Sequence, residues 1–502
     1  NGCNAGACHG KQRGQNGFQL SLLGFDSDFD FAALAQNARG RRVFPAAPDR
    51  SLLLLKATGR VPHGGGVRLD PAGEDYATLH RWISQGLRRR LENEPKLVRI
   101  EVEPSELSLA PGESASLHVT AFYSNGETRD VTSRTSFQAN EAAIAAVERS
   151  GVVQAGPLPG ETAVMSRYMN HIGLTNVAIP LAGEVPSEVF AKLPRNNFID
   201  ELVWRKLESL GITPSEQADD AKFLRRAHLD TIGRLPTPEE VRAFLASESP
   251  SKRSELIDAL LARPEYADHW ANKWADLLRP NPYRVGVKAT FNFDQWIREQ
   301  FRENRPYDQF VRELVTAQGS TWETGAAVLF RDGRSAAEVT TMVSQLFLGI
   351  RLECAKCHHH PFERWGQEDF YSFAAYFARV GRKGTGVSPP ISGSEEVIFT
   401  GAKGSVEHPL TGETLEPRPL FGDAPELSEF KDPREALAAW MTADGAEFLS
   451  QVQVNRVWAE LMGRGLVDPV DDLRSTNPPT NGPLLAKLAE DFREHGYDQK
   501  HL

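Results

Sequence analysis

Four cysteines in 502 residues form two pairs, and each pair ends in a histidine. The downstream pair reads Cys354-Ala355-Lys356-Cys357-His358. That spacing lets two thiols form thioethers to the vinyl groups along one porphyrin edge, with the next imidazole under the ring as an iron ligand. The upstream pair reads Cys3-Asn4-Ala5-Gly6-Ala7-Cys8-His9, with four residues between the thiols. Gly6 and its flanking alanines let the longer loop bulge, so haem attachment stays open there too. The expectation is two c-type haems, on Cys3, Cys8 and His9 and on Cys354, Cys357 and His358. Other chemistry uses the same residues. A C-x-x-C pair also serves as a zinc half-site or a redox dithiol. Cys354, Cys357 and His358 with His359 or His360 would complete a four-ligand zinc set. Either pair could close as a disulfide in an oxidising compartment.

The second axial ligand of such an iron is usually Met or His. The first methionine is Met165, and the only other histidines in the first ninety residues are His63 and His80. His63 sits in Arg60-Val61-Pro62-His63-Gly64-Gly65-Gly66, a loop suited to carrying a ligand over a haem face. His80 lies in a helical stretch and reads as a surface residue. A bis-His haem on His9 and His63 is therefore expected, with a lower potential than a His/Met one. For the second iron, His358 is proximal. His360 is too near in sequence to reach the opposite face easily, and His408 lies in a loop. His228, His269 and Met342 fall in helical patterns where packing is their simpler role. With no such ligand the iron would be five-coordinate and open to a small molecule, beside a pocket of Trp365, Asp369 and Tyr371.

A net charge of -10 argues against nucleic acid as a partner, and no apolar run reaches the length of a membrane span. Residues 1–92 are short of apolar mass, and Leu20, Leu22, Leu23 and Leu52–Leu55 are candidates to wrap a haem. A helix is expected near 75–85. Residues 96–182 alternate with period two, as in Val98-Arg99-Ile100-Glu101-Val102 and in Ala115, Leu117, Val119, Ala121 and Tyr123. With Asn125-Gly126 as a turn, they read as a β-sandwich. From about 195 the period is helical, with stretches near 252–278, 291–317, 337–353, 364–379, 433–463 and 482–495. Thr237-Pro238-Glu239-Glu240 carries a capping-box signature. Residues 381–432 read as an irregular excursion. Trp270, Trp274 and Trp296 read as core. Both ends look cut.

Several segments resemble known families. Cys3–His9 with Gly10-Lys11, Arg41-Arg42-Val43-Phe44-Pro45, Pro62–Gly66 and Trp82-Ile83 resemble the planctomycete-type cytochrome c domain. Residues 96–182 look like a bacterial group 2 immunoglobulin-like domain. Residues 197–380 are similar to a large uncharacterised family, through Arg225-Arg226, Leu235-Pro236-Thr237-Pro238, Arg305-Pro306-Tyr307-Asp308 and the Cys354–Pro361 run. From about 433, Gln453–Trp458 and Gly463–Val467 resemble a second uncharacterised family. The fold class implied is multidomain: a small α cytochrome c-like domain over 1–92, an all-β Ig-like sandwich over 96–182, a large mainly α domain over 195–380, and the start of a further helical domain over 433–502. The function implied is an exported, periplasmic or extracellular dihaem electron carrier, or the redox part of a haem-dependent oxidoreductase. Its acidic surface would dock a basic redox partner. The alternative is a zinc-stabilised extracellular binding or adhesion module without haem.

Overall fold

The computed structural model describes residues 2–10, 13–183, 185–386 and 393–502. Lys11 and residues 387–392 of the expected excursion lie outside the described residues. The chain has a mixed, multidomain architecture of helical regions and small sheets.

The N-terminal unit is made of turns and short helices, the longest being Leu52–Ala57 and Glu74–Ser84. Its apolar cluster is small: Leu54, Ala57, Leu69 and Ile83 are buried, with Val43, Leu53, Tyr76, Leu79, Trp82 and Leu87 against them. Leu20 is buried, but Leu23 is exposed, against expectation. Its φ of 57° turns the side chain to solvent and aims its N–H at the Asn4 carbonyl, 3.0 Å away. The position serves backbone pairing rather than packing.

Residues 97–179 are strand and turn apart from one short helical turn, Thr132–Arg134. Leu97–Glu103 pairs with His118–Tyr123, which pairs with Thr128–Asp130. A four-stranded sheet runs Glu106–Ser108, His171–Ile179, Gly160–Tyr168, Ser136–Ala139, and its first pair is parallel. A third sheet joins Ser114–Ser116, Val152–Ala155 and Ala145–Val147. Leu117, Val119 and Ala121 are buried at every second position, because successive strand side chains face opposite sides. Val98 breaks the expected alternation and is exposed. The register slips between Leu97 and Arg99, so Leu97 rather than Val98 reaches the core.

The helical region shares one hydrophobic core from Ile232 to Phe492. Trp274 is at its centre, 5.8 Å from Tyr307, 5.0 Å from Phe310 and 6.0 Å from Phe347, ring centre to ring centre. Proline sets the helix breaks that periodicity alone runs through. Pro264 separates Lys252–Leu261 from Pro264–Leu278, and Pro306 separates Val287–Arg302 from Tyr307–Thr316. The capping box forms: Glu240 N–H donates to Thr237 Oγ1 at 3.2 Å, and Thr237 N–H to Glu240 Oε2 at 2.7 Å.

The stretch after 380 is more ordered than an irregular excursion. Val380–Gly384 pairs antiparallel with Glu396–Thr400, and Val406–Glu407 with Thr414–Leu415. Val397-Ile398-Phe399 is a short apolar run, but its partner Val380–Gly384 and the two-residue strands give little pattern of their own. The segment is tied back through Arg434, whose Nη1 donates to the Ala317 carbonyl at 3.0 Å and Nη2 to Thr400 Oγ1 at 3.2 Å. Arg434 is 1% exposed and its pair partner Asp432 4%.

Candidate functional site

The first cysteine pair lies in a tight loop. His9 N–H donates to the Cys3 carbonyl at 2.9 Å and Cys8 N–H to the Ala5 carbonyl at 2.9 Å. Gly10 closes the loop, and a Cβ there would sit 2.0 Å from the Asn4 oxygen. Cys3 and Cys8 are free and half-buried. Burial pushes the Cys3 thiol up from its usual range, which does not suit a reactive thiolate.

The Pro62–Gly66 loop carries His63 opposite His9. The two rings are 6.3 Å apart, centre to centre, with 8° between their planes. A metal–imidazole bond is about 2.0 Å and the ring centre lies about 1.2 Å further on, so a separation of this size would suit both imidazoles holding one metal. The tautomers fit as well. His9 Nδ1 pairs with the Phe18 carbonyl at 2.9 Å, and His63 Nδ1 with the Gly66 carbonyl at 2.8 Å. A carbonyl can only accept, so each Nδ1 carries the proton and each Nε2 keeps its lone pair for a ligand. Phe18 also packs on the His9 ring at 4.5 Å, and the Arg42 guanidinium covers Phe18 at 4.5 Å. Arg42 itself donates to the carbonyls of Ala33 and Gly17. His80 is elsewhere, 3.5 Å from Asp49.

The second pair lies in the short turn Leu352–Lys356 and just after it, between helices Ala336–Leu348 and Gln367–Ala374. Cys354 and Cys357 are free and exposed. Partial burial and the Glu353 carboxylate push the Cys354 thiol up. His358 Nδ1 pairs with the His359 carbonyl at 2.7 Å, so His358 too presents a free Nε2. His359 Nδ1 is buried with no hydrogen-bond partner, the kind of orphan a bound group satisfies.

His360 and His408 are not placed to ligate as expected. His360 Nδ1 accepts from Phe362 N–H at 3.2 Å, and burial holds the ring neutral with its pKa pushed down to about 4. His408 Nδ1 faces the N–H groups of Leu410 and Thr411, both at 3.3 Å, in a hairpin turn. In both rings the proton is therefore on Nε2. Of the expected pocket residues, Trp365 is buried core and Asp369 caps its helix by accepting from Gly366 N–H at 2.8 Å, while Asp369 and Tyr371 lie close enough to His359 and Cys357, respectively, for their charges to interact. Tyr371 packs on Phe370. Cys354, Cys357, His358 and His360 do not converge as a zinc set. Among the described residues the metal-capable cluster is Asp491, His495 and His501.

Sequence reasoning did not find Phe25. Its ring lies 5.4 Å from His359 and 6.4 Å from His358, centre to centre. Two residues earlier, Leu23 is bonded to Asn4 between the first two cysteines. The segment is braced: Asp26 N–H donates to Ser21 Oγ at 3.1 Å, and Ser21 Oγ to Asp30 Oδ2 at 2.8 Å. One short bracket therefore joins the two cysteine–histidine motifs, which are more than 340 positions apart. An apolar residue in a short exposed loop gives no periodic signal that could have pointed to it.

Two family models match the chain. Residues 198–382 match PSCyt2, protein of unknown function (DUF1549), and residues 433–502 match PSD1, protein of unknown function (DUF1553). No curated protein matches the chain. Neither match is a cytochrome c or an immunoglobulin-like domain, and both lie outside residues 1–182. The resemblance of 1–92 to a cytochrome c domain and of 96–182 to an Ig-like domain is thereby corrected: a few short motifs and a period-two pattern do not amount to a family match. The chain is similar, over 198–382 and 433–502, to two families whose function is unknown.

Proposed function

We propose that this protein carries electrons through two covalently attached haems, one on Cys3, Cys8 and His9 with His63 opposite, the other on Cys354, Cys357 and His358. The observation that carries this reading is the His9–His63 pair, with 6.3 Å between parallel rings and both Nδ1 atoms committed to backbone carbonyls. A haem at each place would supply a one-electron couple. The chain's own residues do the positioning. Phe18 and Gly66 fix the two tautomers, Arg42 fixes Phe18, and Gly10 lets the cysteine loop close on His9. The braced Phe25 segment supports exchange between the two places, because it touches both motifs.

Covalent haem of this type is attached outside the cytoplasm, so the reading includes export to the periplasm or beyond. The balance of 67 acidic to 57 basic residues favours a basic redox partner. Among the described residues no helix is long and apolar enough to cross a membrane.

A second reading is favoured by the tautomers of His360 and His408. Neither presents a free Nε2 to an iron on His358, so neither would close that face to a small molecule. The protein would then be an oxidoreductase that takes electrons from a substrate at His358 and passes them to the His9–His63 site.

Intact mass and visible spectra of protein exported from a host able to attach c-type haem test both readings. Two added haem masses are expected, with carbon monoxide binding at one site if the second reading holds. A mass with no added haem would overturn the proposal.

A further inference from the structure

We propose a divalent transition-metal site formed by Asp491, His495 and His501, at the C-terminal end of helix Gly482–Glu494. One ligand atom from each residue lies within 4.8 Å of the other two. Asp491 is central. His501 Nε2 lies 2.9 Å from Asp491 Oδ2, and His495 Nδ1 lies 3.5 Å from Asp491 Oδ1.

The arrangement is built by the backbone. Asp491 and His495 are one helical turn apart and so share a face. The chain then reverses through Gly496 and Tyr497, with φ of 65° and 58°. Asp498 holds the returning strand, accepting from Lys500 N–H at 2.8 Å and His501 N–H at 3.0 Å. Asn304 anchors Asp498 at 2.8 Å, and Tyr307 N–H donates to the Tyr497 carbonyl at 3.0 Å. The result sets the His501 ring on the His495 ring, 3.7 Å between centres and 19° between planes.

His495 Nδ1 also pairs with the Asp491 carbonyl at 2.9 Å, which leaves its Nε2 with a lone pair, while His501 Nε2 donates to Asp491 Oδ2, so a metal would take the place of that proton. Two imidazoles on one tetrahedral metal would hold their centres about 5 Å apart, so binding would part the stack by about 1.4 Å. His501 has the freedom to move that far, since its side chain is 39% exposed. Two imidazoles and a carboxylate suit zinc, copper or nickel rather than calcium or magnesium. His495 and His501 are exposed, so an external ligand could complete the coordination. The site owes nothing to the haem reading, since neither cysteine pair is part of it.

Titration of the full chain with zinc chloride, followed by calorimetry, tests the proposal. The wild-type chain should take up one equivalent more than the double variant His495→Ala, His501→Ala. Asp491→Asn should weaken that equivalent by about 10-fold or more. The milder His501→Gln, checked for an unchanged melting temperature, guards against loss of folding. Copper should give an electron paramagnetic resonance signal with nitrogen coupling from two imidazoles that the variants lose. Equal zinc uptake by wild-type and folded variants would overturn the site.

Discussion

His9 and His63 face each other across 6.3 Å in nearly parallel planes, although 53 residues separate them in the chain. Each ring is held from behind by a backbone carbonyl, of Phe18 and of Gly66. On the proposed reading, the two rings would hold one metal between them through their Nε2 atoms.

On the proposed haem reading, His63→Ala would convert the N-terminal site from six- to five-coordinate. The expected outcome is a shift of its visible spectrum to high spin, with new binding of carbon monoxide. His63→Met should instead raise the reduction potential. An unchanged spectrum in both variants would remove His63 from the site.

Phe25→Ala should loosen the second motif without unfolding the chain. Aromatic contacts of this kind contribute about 0.5–1.5 kcal/mol, which corresponds to about two- to twelvefold in local opening. Amide hydrogen exchange around His358 and His359 should rise by that factor, while exchange in residues 97–179 stays constant. If protection at His358 did not change, the Phe25 bracket would have no mechanical role.

His360 makes stability depend on pH. Its folded pKa is pushed down to about 4 by burial, below an unfolded value of about 6.5. The unfolded state therefore binds the extra proton between those values. The stability held by neutral His360 is complete above about pH 6.5 and is lost as pH falls toward 4, by roughly 3 kcal/mol. His360→Asn keeps an acceptor for Phe362 N–H and does not titrate there. Urea unfolding at pH 7 and pH 4.5 should show a smaller drop for the variant. Equal drops in the two proteins would count against a buried, neutral His360.

The Asp432–Arg434 pair should behave as a buried ion pair. Burial works against the Asp432 carboxylate, yet hydrogen bonds from Arg434 and Thr400 hold it below its usual range. Asp432→Asn leaves the guanidinium buried without its counter-charge and should cost about 3–5 kcal/mol. Replacing both residues by apolar ones of similar volume should cost less. Chemical denaturation of single and double variants reads this directly, and additive losses would mean that the two residues do not act as a pair.

Thr237→Ala removes one half of a capping box and should cost about 1 kcal/mol. Thr237→Ser should retain most of it. The midpoint of urea unfolding distinguishes the two, and equal midpoints would mean that the cap contributes nothing.

The capping box at Thr237, the strand alternation around Val119 and the helical stretches were legible because each depends on neighbours within a few residues. Helix breaks at Pro264 and Pro306 were legible in principle, since proline acts locally, but periodicity ran through them. Val98 was misread because a one-residue slip in register moves a side chain to the other face, and the slip depends on distant partners, Tyr123 and Phe122, on the neighbouring strand.

By itself the sequence determined which residues can carry chemistry: two cysteine pairs closed by His9 and His358, and a glycine-rich loop presenting His63. Covalent spacing is local, so it survives without knowledge of the fold. Only the tertiary structure decided which imidazoles are usable, because a histidine's free nitrogen depends on what the other nitrogen meets. By that criterion His9, His63 and His358 each leave Nε2 free, and His360 and His408 do not. It also decided that Phe25 meets His358 and His359, and that His495 meets His501, since contacts between distant or reversed segments are made by packing and chain reversal rather than by spacing.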